Sequence, residues 1–224
     1  MTPVVLKCGD APLPLALRSL DVFTAPEVPE KDDFDEIFAK LETVEGPRLV
    51  VVGGDAALAA ALTRLMRTER LHIELAYVPE ERTDATHAYG LRTGSKAAAI
   101  AAAGRARSMP LIRDDAGIAL VGKAVVHGSE HAGELVGEAY VDDQRLFSGT
   151  IPGMIVVPTP ELPGLRAAVD KRRWFGGHRW LPGRAAQLGS PSAVVTRDGV
   201  KTRRALKRST FYRYDQDWLL VYAS

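Results

Sequence analysis

The sequence predicts an α/β protein in two parts. A three-layer α/β domain with a parallel sheet is expected over residues 1–110, and a β-rich antiparallel domain over residues 111–224. Three observations carry this expectation. Leu49-Val50-Val51-Val52 is an unbroken apolar run, as a strand buried on both faces requires, and a Gly-Gly-Asp turn and an alanine-rich helical run to Met66 come directly after it. Before Met109, apolar runs alternate with segments of helical spacing, which implies parallel strands with helices on the sheet faces. After Met109 the chain changes to short apolar runs broken by turn residues, the pattern of an antiparallel sheet.

Taken in order, Val4–Leu6 opens the first sheet, Pro12 and Pro14 interrupt the next stretch, and Leu20–Phe23 reads as a short strand. Pro26 and Pro29 mark a loop. Phe34, Ile37, Phe38 and Leu41 stand at i, i+3, i+4 and i+7, one face of a helix, with Asp32 or Asp33 as its N-cap. After the 49–52 strand, Leu58, Leu62, Leu65 and Met66 share a helix face. His72–Val78 reads as a strand and Ser95–Ala103 as a helix ending near Gly104. In the second part the strand candidates are Leu111–Arg113, Ile118–Val126, Gly137–Val141, Met154–Val157, Ala193–Thr196 and Trp218–Tyr222. Asp114-Asp115-Ala116-Gly117, Asp142-Asp143 and Arg197-Asp198-Gly199 read as hairpin turns.

The chain of 224 residues is 46% hydrophobic, enough for a sizeable core. Its single cysteine, Cys8, excludes an internal disulfide and fits a reducing compartment. The N-terminus shows no charged and apolar leader pattern, and no apolar run reaches the roughly 18 residues of a membrane span. A cytoplasmic protein is expected, with peripheral membrane contact as an added option. The net charge of +1 is unevenly placed: residues 1–150 hold 16 Lys/Arg against 23 Asp/Glu, and residues 151–224 hold 13 against 5. A basic C-terminal part suits an anion, an anionic lipid or membrane surface, or the acidic first part itself. A homo-oligomer stays open, and nucleic acid is the least favoured partner.

Two loops carry the functional reading. Gly53-Gly54-Asp55 joins a strand to a helix N-terminus, where backbone N–H groups can meet phosphate. Val78-Pro79-Glu80-Glu81-Arg82-Thr83-Asp84 succeeds the next strand, and Tyr89-Gly90-Leu91 comes after it. Together they resemble the two nucleotide loops of the diacylglycerol-kinase/NAD-kinase superfamily, Gly-Gly-Asp-Gly-Thr and Pro-x-Gly-Thr-x-Asn-Asp, the second leading to a Leu-Gly pair. Gly104-Arg105-Ala106-Arg107 with Met109-Pro110-Leu111 resembles the family's exit into its β domain, and Val195–Gly199 resembles a late Val-Asp-Gly turn. The resemblance implies ATP with Mg²⁺ and phosphoryl transfer to a lipid hydroxyl. Gly53 and Gly54 would approach the phosphates, Asp55 would orient the loop or metal, and Thr83 and Asp84 would support the second loop. The chain departs from the family in its chemistry. Ala56 and Ala57 replace the glycine and threonine, and Glu80 and Glu81 add negative charge where a triphosphate would lie. No catalytic acid and no metal-ligand set is assigned. The leading reading is a diverged diacylglycerol-kinase-like protein, an ATP-dependent lipid kinase with a degenerate loop; the alternative is a non-catalytic member of the same fold binding a lipid, a nucleotide or a protein.

Two other segments draw notice. His127-Gly128-Ser129-Glu130-His131 has the H-x-x-E-H spacing of an inverted zinc peptidase, but glycines and a preceding valine run read as a polar loop between strands. In Lys171–Trp180, cations alternate with large aromatics. Arg172, Arg173, Trp174, Arg179 and Trp180 suit an anionic lipid surface, or a packed loop whose arginines are solvated. Lys201, Arg203, Arg204, Lys207 and Arg208 extend that basic character.

Overall fold

A computed structural model describes residues 3–129, 133–170 and 177–223. The chain forms two compact units, residues 1–109 with 216–224, and residues 110–215.

The first unit begins with β1 (Val4–Cys8), β2 (Asp21–Ala25), α1 (Asp35–Leu41), β3 (Arg48–Val52), α2 (Asp55–Arg67) and β4 (Glu74–Val78). α3 (Asp84–Tyr89), α4 (Gly94–Ala103) and β5 (Arg105–Met109) come next. The strands lie in the order β2-β1-β3-β4, all parallel. Because side chains alternate across a strand, each strand serves two layers. Val5, Val50, Val52, Ala76 and Val78 pack with Leu17, Ala97, Ala98 and Ala101, the last three from α4. The intervening Val4, Leu6, Leu49, Val51, Leu75 and Tyr77 are buried on the opposite face, where α1 meets β1 and α2 meets β3. Leu49, Val50 and Val51 are wholly removed from solvent, which stabilises by about 1.5–3 kcal/mol each. The three-layer expectation thus holds, and β3 is the buried strand its sequence predicts.

The expected aspartate cap of α1 does not form. Asp32–Phe34 makes a 3-10 turn that runs straight into α1, and neither helix start carries a side-chain cap. Asp33 instead accepts the Glu30 N–H at 2.7 Å, closing the turn before it.

The second unit is built of β-strands among its described residues. It comprises β6 (Ile112–Asp114), β7 (Ala119–Leu120), β8 (Ala124–Gly128), β9 (Leu135–Val141), β10 (Gln144–Ile151) and β11 (Met154–Pro158). Its later strands are β12 (Leu165–Val169), β13 (Leu181–Gly183), β14 (Ala185–Arg197), β15 (Val200–Lys201) and β16 (Leu206–Arg213). All pairings are antiparallel, in the order β13-β12-β11-β8-β14-β16-β6-β7, with β9 and β15 on β14 and β10 on β9. β14 organises the unit. Its first half pairs with β9 and β16, its register shifts between Gly189 and Ala193, and its second half pairs with β8 and β15. The bulge lets one strand serve two pairings around a core that includes Val126, Val141, Met154, Val156, Leu165, Val195 and Phe211. Gly137 allows β9 to cross β14 closely, since a Cβ there would stand 2.1 Å from the Gly189 carbonyl oxygen. All three expected hairpin turns form. In the last, Asp198 (φ 45°) and Gly199 (φ 85°) adopt the paired left-handed conformation of a two-residue turn.

The remaining strand, β17 (Trp218–Tyr222), departs from expectation. It forms where the sequence predicts a strand, but in the first unit's sheet, parallel to β4 and antiparallel to β5. Trp218 and Leu220 are buried there, and Tyr89 of α3 meets the Trp218 ring edge-on at 5.6 Å. Residues 216–224 therefore belong with residues 1–109, and not with the β part to which a division at 110/111 assigns them.

Candidate functional site

The order β2-β1-β3 means that the chain moves to one side of β1, then returns to its other side. Loops leaving the C-terminal ends of β1 and β3 therefore diverge, and the crevice between them is where open α/β sheets bind ligands. Gly53 stands at that point. A Cβ on Gly53 would lie 3.0 Å from Cys8 Cβ and 3.3 Å from Ala57 Cβ, so this glycine is fixed by packing. Gly54 differs. Its φ of −87° and ψ of 179° suit any residue, and a Cβ there would meet nothing within 4 Å. It is exposed and is the N-cap of α2, which has no side-chain cap.

Asp55 ties the first loop to the second. One oxygen accepts the Tyr77 hydroxyl at 2.8 Å, and the other accepts the Ala85 N–H at 3.1 Å, in the first turn of α3. These two bonds join the Gly53–Asp55 turn to β4 and to the start of α3. Thr83 caps α3: its hydroxyl accepts the Thr86 N–H at 3.1 Å, while Thr86 Oγ1 accepts the Thr83 N–H at 2.8 Å. Asp84 is exposed at the first position of α3, a favourable place for negative charge. Gly90 closes α3 in the left-handed conformation, at φ 65°.

α4 brings a second helix N-terminus to the same end of the sheet. Thr93 is its N-cap without a side-chain cap, no acidic residue lies in its first turn, and Gly94 N–H donates to the Pro79 carbonyl at 2.8 Å. Arg48 fixes the helix from its other end. This arginine is 2% exposed and donates to Glu74 at 2.7 Å, to the Ala101 carbonyl at 2.8 Å and to the Gly104 carbonyl at 2.9 Å. A cation on the last carbonyls complements the helix dipole and settles where the N-terminus falls. Between these elements lies a cavity of about 480 Å³, lined by Ala11–Ala16, Val52, Val78, Pro79, Glu80, Gly94 and Ser95. Its walls are mostly apolar and Glu80 is its one charged lining residue. Lys7, the register partner of Val52, bends its ammonium onto the Gly9 carbonyl at 2.7 Å, which keeps a cation at the end of β1. Burial pushes the Cys8 thiol up to about 12, so it stays protonated and unreactive at neutral pH.

The two alanines differ in consequence. Ala57 is fully buried against the Gly53 turn and faces the protein interior; Ala56 is half-buried. Glu80 and Glu81 are both exposed, with Glu80 at the cavity. Among the described residues no group of three or more His, Cys, Asp or Glu is placed to hold a metal ion. Sequence reasoning missed Tyr77, Thr86, Arg48 and the α4 N-terminus. Thr86 had a weak signal, the Thr-x-x-Thr spacing; Arg48 and Tyr77 had none, since their partners are 22 to 56 residues away.

The other candidates lie elsewhere. His127 sits on β8 with Nδ1 3.1 Å from the Pro152 carbonyl oxygen, on a strand where zinc-peptidase spacing needs a helix; Glu130 and His131 lie outside the described residues. Arg172, Arg173 and Trp174 also lie outside the described residues. Arg179 is exposed, and Trp180 is half-buried with the Arg166 guanidinium 4.5 Å from its ring centre.

No protein-family model matches the chain, and no curated protein matches its sequence. The solved structure of an NAD kinase from Archaeoglobus fulgidus in complex with ATP matches with a TM-score of 0.61 at 14% identity, over 100% of this chain and 94% of that one. The fold is NAD kinase-like. At that identity the likeness shows the fold alone and does not single out a diacylglycerol-kinase branch. Among the described residues no helix is long and apolar enough to cross a membrane.

Proposed function

We propose that this protein binds a nucleotide at the crevice between β1 and β3, with its phosphates at Gly54 and the N-terminus of α4, and that it acts as a non-catalytic binding member of the NAD kinase-like fold. The observation that carries the reading is Gly54. Its backbone is ordinary and its Cβ position is open, so nothing inside the protein calls for glycine, whereas a ligand approaching the backbone does. The two uncapped helix N-termini and the Lys7 ammonium supply donors and positive potential. The apolar cavity beside them suits a base or sugar. The residues present therefore fit a nucleotide. They do not fit a protein-built Mg²⁺ centre, and any such ion would be held chiefly by the phosphates.

Phosphoryl transfer depends on positioning and charge neutralisation. Here Glu80 faces the cavity and Ala57 is turned inward, so neither offers a donor. The second reading, an ATP-dependent lipid kinase, is favoured by one observation: Asp55 is half-exposed, and each oxygen that accepts a bond keeps a further lone pair. Calorimetry with ATP, with and without Mg²⁺, tests binding. A dissociation constant weaker than about 1 μM is expected, abolished in Gly54→Asp, which retains a good N-cap but sets a carboxylate where phosphate would lie. Unchanged binding in that variant would overturn the site. Incubation with Mg·ATP and diacylglycerol micelles tests transfer; turnover that disappears in Asp55→Ala would replace the non-catalytic reading with the kinase one.

A further inference from the structure

Within the second unit lies a hollow of about 250 Å³ lined by Gln144, Arg145, Leu146, Val169, Arg179 and Leu181. Its floor and rim differ in chemistry. Leu146, Val169 and Leu181 are half-buried and pack on the unit's core. Arg145 and Arg179 are exposed, and among the described residues neither makes an ion pair or side-chain hydrogen bond. Two of the nearby carboxylates, Asp170 and Asp142, are turned to other work, and a third, Asp143, stands in solvent. Asp170, next to Val169, faces His178 at 3.9 Å. Asp142 accepts the backbone N–H groups of Arg184 and Ala185 at 2.9 to 3.0 Å. Asp143 is exposed in the β9–β10 turn. The strand just after Arg179 is held firmly, because Trp180 lies beneath the Arg166 guanidinium and Leu181 pairs with Ala167.

We infer that this hollow binds a single-chain anionic amphiphile, its phosphate or carboxylate head between Arg145 and Arg179 and its first methylenes on Leu146, Val169 and Leu181. Two guanidiniums lining one hollow give it a positive rim, and their planar forks match a phosphate or carboxylate. The apolar floor adds a preference that inorganic phosphate cannot satisfy. Size sets the limit. The hollow lies just below the roughly 300–1,000 Å³ of pockets that enclose a drug-sized ligand, so it takes a head and the start of one chain, and the rest of the chain extends outward. This site is independent of the nucleotide reading, since it uses residues of the second unit alone.

Calorimetry on the full chain tests it with decyl phosphate below its micelle concentration, inorganic phosphate and decyl maltoside. Decyl phosphate should bind at one site. It should bind at least about tenfold more weakly to Arg145→Gln/Arg179→Gln, whose exposed positions leave the fold intact in a thermal melt. Leu181→Ala should weaken decyl phosphate and leave inorganic phosphate unchanged. Equal affinity for decyl and inorganic phosphate, equal affinity for the neutral maltoside, or no loss in the double variant would each overturn the proposal. Co-sedimentation with vesicles containing phosphatidic acid separates the sources. Binding to both vesicles and soluble amphiphile assigns a membrane lipid, and binding to soluble amphiphile alone assigns a free one. Vesicle binding without soluble binding would overturn the pocket and leave only surface attraction.

Discussion

Asp55 in the first unit and Asp198 in the second both sit beside a glycine near a strand end, and both accept hydrogen bonds from segments distant in sequence. Their surroundings differ. Asp198 is 7% exposed, and its carboxylate accepts the backbone N–H groups of Val121, Gly122 and Lys123 at 3.1, 2.8 and 3.0 Å. Asp55 is half-exposed, takes one backbone amide and one phenol, and adjoins the open space in front of Gly54. The first carboxylate is a sealed knot between two loops. The second does the same work at an open rim, with capacity left for something from outside. An aspartate beside a glycine thus says little alone; what surrounds its oxygens decides whether it serves the fold or a ligand.

That contrast can be broken by substitution, and the largest effect belongs to the sealed site. Asp198→Ala leaves two buried amides and one part-buried amide without their acceptor and should cost about 3 kcal/mol in urea unfolding while leaving ATP affinity unchanged. A loss under about 1 kcal/mol would mean that water replaces the carboxylate and that the knot is not sealed. At the open site the two glycines should part company. Gly53→Ala forces a Cβ against Cys8 and Ala57 and should cost about 1–3 kcal/mol, whereas Gly54→Ser should stay within about 0.5 kcal/mol of the parent. Equal losses would erase the distinction between a packed glycine and one kept for a ligand.

Asp55→Asn should cost about 1 kcal/mol, read most directly as faster hydrogen exchange at Ala85 and Thr86. Unchanged exchange there would show that α3 is held without Asp55. The last effect is confined to alkaline pH and is absent at neutral pH. Burial raises the Cys8 thiol from 9.0 to about 12 and the Tyr222 hydroxyl from 10.0 to about 12. Above pH 9 the unfolded chain therefore loses protons that the folded chain keeps, so stability falls as pH rises from about 9 towards 12. Cys8→Ala should flatten the early part of that decline, and an unaltered profile would assign it elsewhere.

The fold is legible in the sequence where burial is strong and local. Leu49–Val52 announces β3 because a strand covered on both faces needs apolar side chains at every position, and Asp198-Gly199 announces its hairpin because both residues tolerate positive φ. β10 and β16 escape such reading. Gln144–Ile151 and Leu206–Arg213 place many polar and charged side chains outward, so no apolar run marks them. β17 is legible as a strand but not as a member of the first sheet, because its own residues do not encode which edge it joins. At the site, Gly53, Gly54 and Asp55 stand out as a motif. The bonds that give them meaning, to Cys8, Ala57, Tyr77 and Ala85, depend on neighbours only the folded chain assembles.

The position of β17 sets the order of events during synthesis. β4 and β5 are not neighbours; the strand that joins them emerges more than a hundred residues after β5. While the second unit is being translated it can fold on its own contacts, but the first unit must wait with β4 as a bare edge and β5 unpaired, a state open to mispairing. The protein's slowest folding step is therefore expected to be the capture of Trp218–Tyr222 by a sheet otherwise already built. The crevice between β1 and β3, formed by loops of that same sheet, gains its final rigidity only after Trp218–Tyr222 has left the ribosome.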